Sequence, residues 1–332
     1  MIVSSKCANY ASATCPCVLA EKGRCLVCSM CRGEEFCDCS DTTGFCILQE
    51  LQHNGGRAKD PRQPKRLTVA DARKFGDSWQ FIRIELPDEN VHNFEALGCY
   101  VFLRTGDNAF FDVPICVMDA DAETQTLGLL IESRGVKTQD FERLRKGDSV
   151  VMRGPYFGGI QGRKSIGTLR DSNALLICRG SGIAASPNII RTLQRNGNGV
   201  EVYLDSGRFP PELVELAGDL CKADVHEIVI EENDSLTEAA RKQIGRASSK
   251  VGLLHLGVSE YLIARILELI DASDQAQGVK VSCISSATMC CGEGICGSCT
   301  RTLAPDRVVR LCKEQIDPRV YSSMFQEGIW QR

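Results

Sequence analysis

The stretch "NALLICRGSGIAASPNIIRTLQRNG", Asn173 to Gly197, joins an apolar run, a glycine-rich turn and a segment with helical apolar spacing. The run NALLIC is typical of a strand that is buried on both faces. We predict that Ser186 is the N-cap of the following helix, that Pro187 is its first residue, and that Gly197 ends it. The stretch therefore predicts one strand–helix unit of a parallel sheet.

The same alternation of strand and helix continues downstream. Three further pairs follow: GVEVYLD with PELVELAGDLC, EIVIEE with LTEAARKQIGRA, and KVGLLHLG with EYLIARILELI. Buried strands that alternate this regularly with helices form parallel sheets with right-handed crossovers. Residues 170–284 are therefore predicted to form a Rossmann-like α/β domain.

Strand signals dominate the preceding region, residues 67–169. In QFIRIELP, the apolar residues Ile82, Ile84 and Leu86 occupy every second position, which is the period of a strand. CYVFLRT, TLGLLIES and DSVVMRGP are further short apolar runs between turn residues. Several strands with few helical stretches predict a small antiparallel β-barrel. The polar passage from Leu51 to Arg66 is typical of a linker.

Cysteine content is the unusual feature of the composition. Of 19 cysteines in 332 residues, nine lie between Cys7 and Cys46 and five between Cys290 and Cys312. In a reducing compartment such clusters bind metals more often than they form disulfides. The predicted architecture is therefore multidomain, α+β and α/β. Cysteine-rich metal-binding segments at residues 1–60 and 285–332 lie on either side of the barrel and the Rossmann-like sheet.

Charge and hydropathy exclude some partners. A net charge of −4 argues against nucleic acid, because phosphate neutralisation needs a basic surface. The start MIVSSKCANY lacks the regions of a signal peptide, and no apolar run is long enough for a membrane span. We expect a cytoplasmic protein.

The last cysteine cluster has a spacing that suits an iron–sulfur centre. Cys291, Cys296, Cys299 and Cys312 follow the pattern C-x4-C-x2-C, then twelve residues, then C. The first three cysteines match the plant-type 2Fe–2S spacing, although the fourth normally lies further on. Zinc usually takes its thiolates from two C-x2–4-C pairs, which this spacing does not supply. We predict that these four cysteines bind a 2Fe–2S cluster; zinc and a purely structural role are the alternatives.

A barrel, an α/β domain and CCGEGICGSC together resemble the ferredoxin-NADP reductase superfamily. Within it, residues 67–332 resemble the electron-transfer subunit of class 1B dihydroorotate dehydrogenase and the small flavin subunit of NADH-dependent ferredoxin:NADP oxidoreductase. The resemblance implies FAD in the barrel, NAD(P)(H) in the α/β domain, and a 2Fe–2S cluster that passes electrons to a partner. The N-terminal cysteine-rich segment is an addition to this family.

The resemblance also implies positions for FAD. Relatives have Arg-Pro-x-Ser at the end of a barrel strand, where this chain has Val113 to Cys116, so the arginine is lost. A guanidinium binds an anion through two hydrogen bonds, which valine cannot replace. A second flavin loop is better preserved, and Arg134 could supply a compensating charge. The expected FAD-binding residues are Pro114, Cys116, Arg134, Gly135, Thr138 and Gly154.

For the nicotinamide nucleotide the resemblance implies four further positions. Gly180 and Gly182 lie between a strand and a helix N-terminus, where backbone can approach a dinucleotide. Arg208 follows the next strand, at the adenosine end. Relatives have Cys-Gly-Pro after the late strand; this chain keeps Gly257 but replaces its neighbours with leucine and valine. The α/β domain could therefore have lost its nucleotide.

The N-terminal cysteines predict a second metal region. Few large apolar residues accompany them, so metal binding would supply free energy of folding. An iron–sulfur cluster and zinc are both open, as are free thiols or a redox disulfide. The candidate ligands are Cys15, Cys17, Cys25, Cys28, Cys31, Cys37 and Cys39.

Together these features predict an electron-transfer subunit of an oxidoreductase complex, active only with partner subunits. It would pass electrons between NAD(P)H, FAD and the 2Fe–2S cluster, with ferredoxin as a candidate partner. We expect no catalytic side chain, because the four histidines are scattered. The competing interpretation is a non-catalytic iron–sulfur relay whose flavin and nicotinamide sites are vestigial. A zinc-stabilised binding module is the third.

Overall fold

The computed structural model describes residues 6–38, 44–87, 90–106, 111–207, 209–232, 235–273, 278–304 and 307–320. Cys39 and Arg208, both predicted as site residues, lie outside these ranges. Within them, no helix has the length and apolar character that are needed to cross a bilayer.

The N-terminal segment contains short helices and a small core of its own. Its elements are α1 (Val18–Glu21), a 3-10 turn (Met30–Arg32) and α2 (Ile47–His53). Tyr10, Val27 and Ile47 are buried there among cysteines. So little apolar surface cannot by itself offset the entropy of ordering the segment.

The middle region is a closed six-stranded barrel. Its strands are β1 (Lys65–Phe75), β2 (Trp79–Glu85), β3 (Tyr100–Thr105), β4 (Val113–Asp121), β5 (Thr126–Glu132) and β6 (Ser149–Tyr156). They pair antiparallel in the order β1-β2-β5-β4-β3-β6, and α3 (Val136–Gln139) follows β5. Ile82, Ile84 and Leu86 are fully buried inside, as their alternation predicted. The predicted antiparallel barrel is confirmed.

The next region is a six-stranded, mostly parallel sheet, as predicted. Its strands, in the order β10-β9-β8-β13-β14-β7, are β7 (Ile160–Gln161), β8 (Asn173–Arg179), β9 (Gly199–Asp205), β10 (Asp224–Glu227), β13 (Leu253–Gly257) and β14 (Lys280–Ile284). Only the short edge strand β7 pairs antiparallel. The chain proceeds outward from β8 first on one side and then on the other. The crevice at the carboxyl ends of β8 and β13 is therefore the topological switch point, where such sheets bind ligands.

Helices and small hairpins complete the fold. The helices are α4 (Arg163–Thr168), α5 (Ser186–Arg195), α6 (Pro211–Cys221), α7 (Glu238–Ser248) and α8 (Glu260–Asp271). The hairpins are β11 (Glu231–Glu232) with β12 (Ser235–Leu236), and β15 (Thr300–Ala304) with β16 (Arg307–Arg310).

Two local predictions were wrong. Ser186 is the first residue of α5 and not its N-cap, because its hydroxyl lies 3.3 Å from the buried Cys178 thiol. The run EIVIEE is not one strand. The parallel strand β10 ends at Glu227, and the amide of Ile230 instead donates to Asp205.

Candidate cofactor sites

A cavity of about 550 Å³ lies where the barrel meets the carboxyl edge of the sheet. We call it the interdomain cleft. Its size is within the range of small-molecule sites. Its lining comes from β4, β5, the loop that follows β5, and the loops after β8 and β14. Six residues that the sequence predicted for a dinucleotide line it: Pro114, Cys116, Arg134, Gly135, Thr138 and Gly182.

The loop after β5 is a compact turn held by one side chain. The Thr138 hydroxyl accepts a hydrogen bond from the Arg134 amide at 2.9 Å and donates to the Gly135 carbonyl at 3.3 Å. Arg134 pairs with Glu132 at 2.7 Å and is 79% exposed. Lys137 also lines the cleft. Arg134 and Lys137 therefore place two cations at this rim, and the Glu132 carboxylate offsets the charge of Arg134.

Cys116 lies on β4 and lines the cleft. Its sulfur is 3.0 Å from the hydroxyl of Ser286, which belongs to the loop after β14. Burial raises the pKa of this thiol, so it stays neutral and can donate a hydrogen bond. Ser286 also lines the cleft, although sequence reasoning did not identify it.

The predicted glycines have different surroundings. Gly180 has a φ of +51°, and Gly182 approaches Gly257 so closely that a Cβ would overlap the Gly257 carbonyl oxygen. This contact joins the turns after β8 and β13 at the switch point. Gly154 lies on β6 against Val101 and does not line the cleft.

The four C-terminal cysteines, which we call the C-terminal quartet, are brought together. The single proton of the Cys312 thiol is shared between hydrogen bonds to Cys291 and Cys299, and Cys296 donates to Cys291. These bonds are the first cause that lowers the pKa values of Cys291 and Cys299; backbone amides, including Glu293 N at 3.3 Å from Cys291 Sγ, add to the effect. The donor, Cys312, has its pKa raised for the same reason.

The four thiols of the quartet form one connected group. Cys291 contacts Cys296 and Cys312, and Cys312 also contacts Cys299. Among the described residues, no group of three or more His, Cys, Asp and Glu side chains is arranged to hold a single metal ion.

The cleft and the quartet belong to one packed unit. Met289 lines the cleft and is two residues from Cys291. Tyr100, Phe102 and Tyr156 of the barrel share a buried core with Met289 and with Cys312. A group bound in the cleft would therefore be separated from the quartet only by close-packed side chains.

Solved structures of other proteins share this architecture. The solved NADH-dependent reduced ferredoxin-NADP oxidoreductase, described for flavin-based electron bifurcation, aligns with a TM-score of 0.56 and 16% identity, over 76% of this chain and 86% of that chain. The chain has a ferredoxin-NADP reductase fold. The ferredoxin reductase in carbazole 1,9a-dioxygenase aligns with a TM-score of 0.50 and 14% identity, over 69% of this chain and 71% of that one.

One relative is similar in sequence. It is a Pyrococcus furiosus protein named "Probable dihydroorotate dehydrogenase B (NAD(+)), electron transfer subunit". It is 28% identical over 185 residues, which are 55% of this chain and 67% of that protein. No protein-family model matches the chain.

In this ferredoxin-NADP reductase fold, buried ions surround the quartet. Glu293 pairs with Arg62 at 3.1 Å and with Lys313 at 3.0 Å. The Arg62 guanidinium also stacks 4.3 Å from the centre of the Tyr156 ring. The Lys313 side chain is completely buried, and its charge acts on Cys7 and Cys17 of the N-terminal segment. Sequence reasoning identified none of these three ionic residues; Arg62 lies 231 residues from Glu293 in the chain.

We expect Gly158→Ala to displace Cys312. A Cβ at Gly158 would lie 2.7 Å from the Cys312 carbonyl oxygen and 3.0 Å from its Cα, which is closer than real contacts allow. We expect a loss of about 1–3 kcal/mol of stability and reduced iron content. Gly167→Ala is the control, because its Cβ meets nothing within 4 Å in α4 and alanine favours helix. Thermal unfolding and iron analysis of both variants test this; equal melting temperatures would contradict it.

The N-terminal cysteines divide into two neighbourhoods. Cys15, Cys17 and Cys25 line a small cavity together with Cys7, which was not among the predicted ligands. Cys28 and Cys31 contact each other, and Cys46, also not predicted, lies near them, as does Cys25, which therefore borders both neighbourhoods. Cys37 is exposed.

Proposed function

We propose that this chain is the electron-transfer subunit of an oxidoreductase complex. It would pass electrons between NAD(P)H, FAD and a 2Fe–2S cluster, to or from a catalytic partner subunit. The main observation in support is that a single cleft extends from the predicted flavin loop to Met289, which lies beside the quartet. The name of the Pyrococcus relative, an electron transfer subunit, supports the same role.

The residues of the cleft fit FAD. The turn closed by Thr138 presents its backbone to the cleft, and Arg134 and Lys137 would neutralise the pyrophosphate. Pro114 and Cys116 on β4 would contact the flavin ring, with the Cys116 thiol as hydrogen-bond donor. The switch-point glycines would leave room for NAD(P)H beside it.

The residues of the quartet likewise fit a 2Fe–2S cluster. Its thiols are already paired, and amides that point at Cys291 stabilise negative charge on sulfur. When they are bound, FAD converts between hydride and single-electron transfer, and the cluster carries one electron at a time. The chain itself would position both groups and exclude water between them through the aromatic core at Tyr100, Phe102 and Tyr156.

A second candidate is a relay that lacks flavin and nicotinamide chemistry. Val113 and Ile115 favour it, because two apolar side chains line the cleft where relatives have the sequence Arg-Pro-x-Ser. Leu256 and Val258, both buried beside Gly257, favour loss of nicotinamide binding. Such a relay would transfer electrons between partner proteins only.

The visible spectrum of anaerobically purified protein separates the two candidates. A reductase shows extractable FAD, with bands that NADH or NADPH bleaches; a relay shows cluster absorbance and no flavin. Gly135→Val makes the test more specific, because Gly135 has extended backbone and a Cβ at this position meets nothing within 4 Å. A valine side chain would therefore fill space at the flavin loop without displacing a neighbouring residue.

We expect Gly135→Val to lower flavin affinity by at least about tenfold, because it would remove about 1.4 kcal/mol or more of binding free energy. The melting temperature of the flavin-stripped protein should not change. Wild-type flavin content in this variant would contradict the proposed placement of FAD.

A further inference from the structure

The small cavity in the N-terminal segment is lined by Cys7, Cys15, Cys17 and Cys25. We call it the N-terminal cavity. About 20 Å³ of it is open to the centre of a water-sized sphere, which is room for one or two waters and far too little for an organic ligand. Its remaining walls are mostly apolar. Four thiols around a compact, mostly apolar space are suited to an inorganic centre.

Two thiols of this cavity have backbone hydrogen-bond donors for a negative charge. Backbone amides of Asn9 and of Cys28 donate to Cys7 and Cys25, the second at 3.4 Å. Amides that point at sulfur stabilise the thiolate, which is the form that ligates a metal.

The N-terminal cavity lies against the C-terminal quartet. The Ala8 amide donates to the Lys313 carbonyl at 2.7 Å, and Cys7 forms a β-bridge with Glu314. A Cβ at Gly294, inside the quartet loop, would lie 3.2 Å from Leu19. The N-terminal segment is therefore packed onto the loop that carries the quartet.

Lys313 connects the N-terminal cavity to the quartet loop. It directly follows Cys312, its stem would lie 3.0 Å from a Cβ at Gly294, and its buried ammonium pairs with Glu293 of the quartet loop. The same ammonium acts electrostatically on Cys7 and Cys17. One buried cation is therefore shared between the N-terminal cavity and the loop that carries the quartet.

We propose that Cys7, Cys15, Cys17 and Cys25 bind an iron–sulfur cluster that exchanges electrons with the quartet's centre. One electron would leave the reduced diiron centre and reduce the N-terminal cluster, which gains one negative charge. This step depends on the proposed function only for its electron source.

The test uses full-length protein isolated without oxygen. We expect iron and acid-labile sulfide above the two of each that one 2Fe–2S cluster holds, and loss of about two to four of each in Cys17→Ala. Cys290→Ala is the control, because this exposed thiol does not line the N-terminal cavity. The wild-type chain alone can overturn the proposal: it would do so if it contained only about two irons, or zinc in place of the additional iron.

Electron paramagnetic resonance then tests proximity, with dithionite as reductant so that flavin and NAD(P)H play no part. We expect the diiron signal to be split or broadened by its neighbour on full reduction, and to be simple in Cys17→Ala. An unsplit signal in fully reduced wild type would overturn the electron exchange. Additional iron that persists in Cys17→Ala but is lost from Cys31→Ala would assign the cluster to the other cysteine neighbourhood and overturn the ligand set.

These outcomes stay separate from those of the proposed function. Two interacting clusters without extractable flavin would uphold the N-terminal site and reject the reductase. Flavin that NADH bleaches, with only one cluster present, would do the reverse.

Discussion

Cys312→Ala is expected to remove the proposed 2Fe–2S centre, with a loss of about two iron and two sulfide ions per chain. The Cys312 thiol contacts both Cys291 and Cys299, and it is 1% exposed. Without it one iron of that centre would keep a single protein ligand. Iron and sulfide analysis, with the paramagnetic signal after dithionite reduction, measures the loss.

Two cysteine controls separate ligation from general damage. Cys290→Ala removes the neighbouring exposed thiol, and Cys99→Ala removes a thiol of the barrel that is 4% exposed. Both should keep the full diiron signal. A Cys312→Ala protein that keeps this signal, or a Cys290→Ala protein that loses it, would contradict the ligand assignment.

The parts of the fold that the sequence predicted are those with local causes. The strand–helix alternation after Asn173 and the period-two burial at Ile82 and Ile84 result from side chains within one element or its neighbours. The C-x4-C-x2-C spacing is equally local, since three thiols and their glycines share one loop. Such patterns predict a structure before any tertiary contact is known.

What the sequence could not predict depends on distant contacts. Cys7 joins the N-terminal cavity because its backbone pairs with Glu314, more than three hundred residues away. The Arg62–Glu293 ion pair likewise joins the linker to the quartet loop. No periodicity or spacing encodes such pairs. Ser186 fails as an N-cap for a related reason, because the Cys178 thiol lies close enough to engage its hydroxyl.

Gly182→Ala is expected to destabilise the α/β domain strongly, although it adds only one methyl group. The turns after the neighbouring strands β8 and β13 meet at Gly182 and Gly257, and a Cβ at Gly182 would overlap the Gly257 carbonyl oxygen. Both partners are backbone, so no flexible side chain can move aside. We expect a loss of more than about 3 kcal/mol, because overpacking of this kind forces backbone shifts.

Gly180→Ala, two residues earlier in the same motif, is the matched control. Its φ of +51° makes alanine unfavourable by about 1 kcal/mol, but its Cβ would meet only the Trp79 ring, at an ordinary 3.6 Å. Thermal unfolding should therefore show a lowering of the melting temperature by more than about 6 °C for Gly182→Ala and by roughly a third of that for Gly180→Ala. If Gly182 served only to admit a dinucleotide, Gly182→Ala would melt no lower than Gly180→Ala in the absence of nucleotide. Equal melting temperatures would therefore reject the backbone contact as the reason for glycine at position 182.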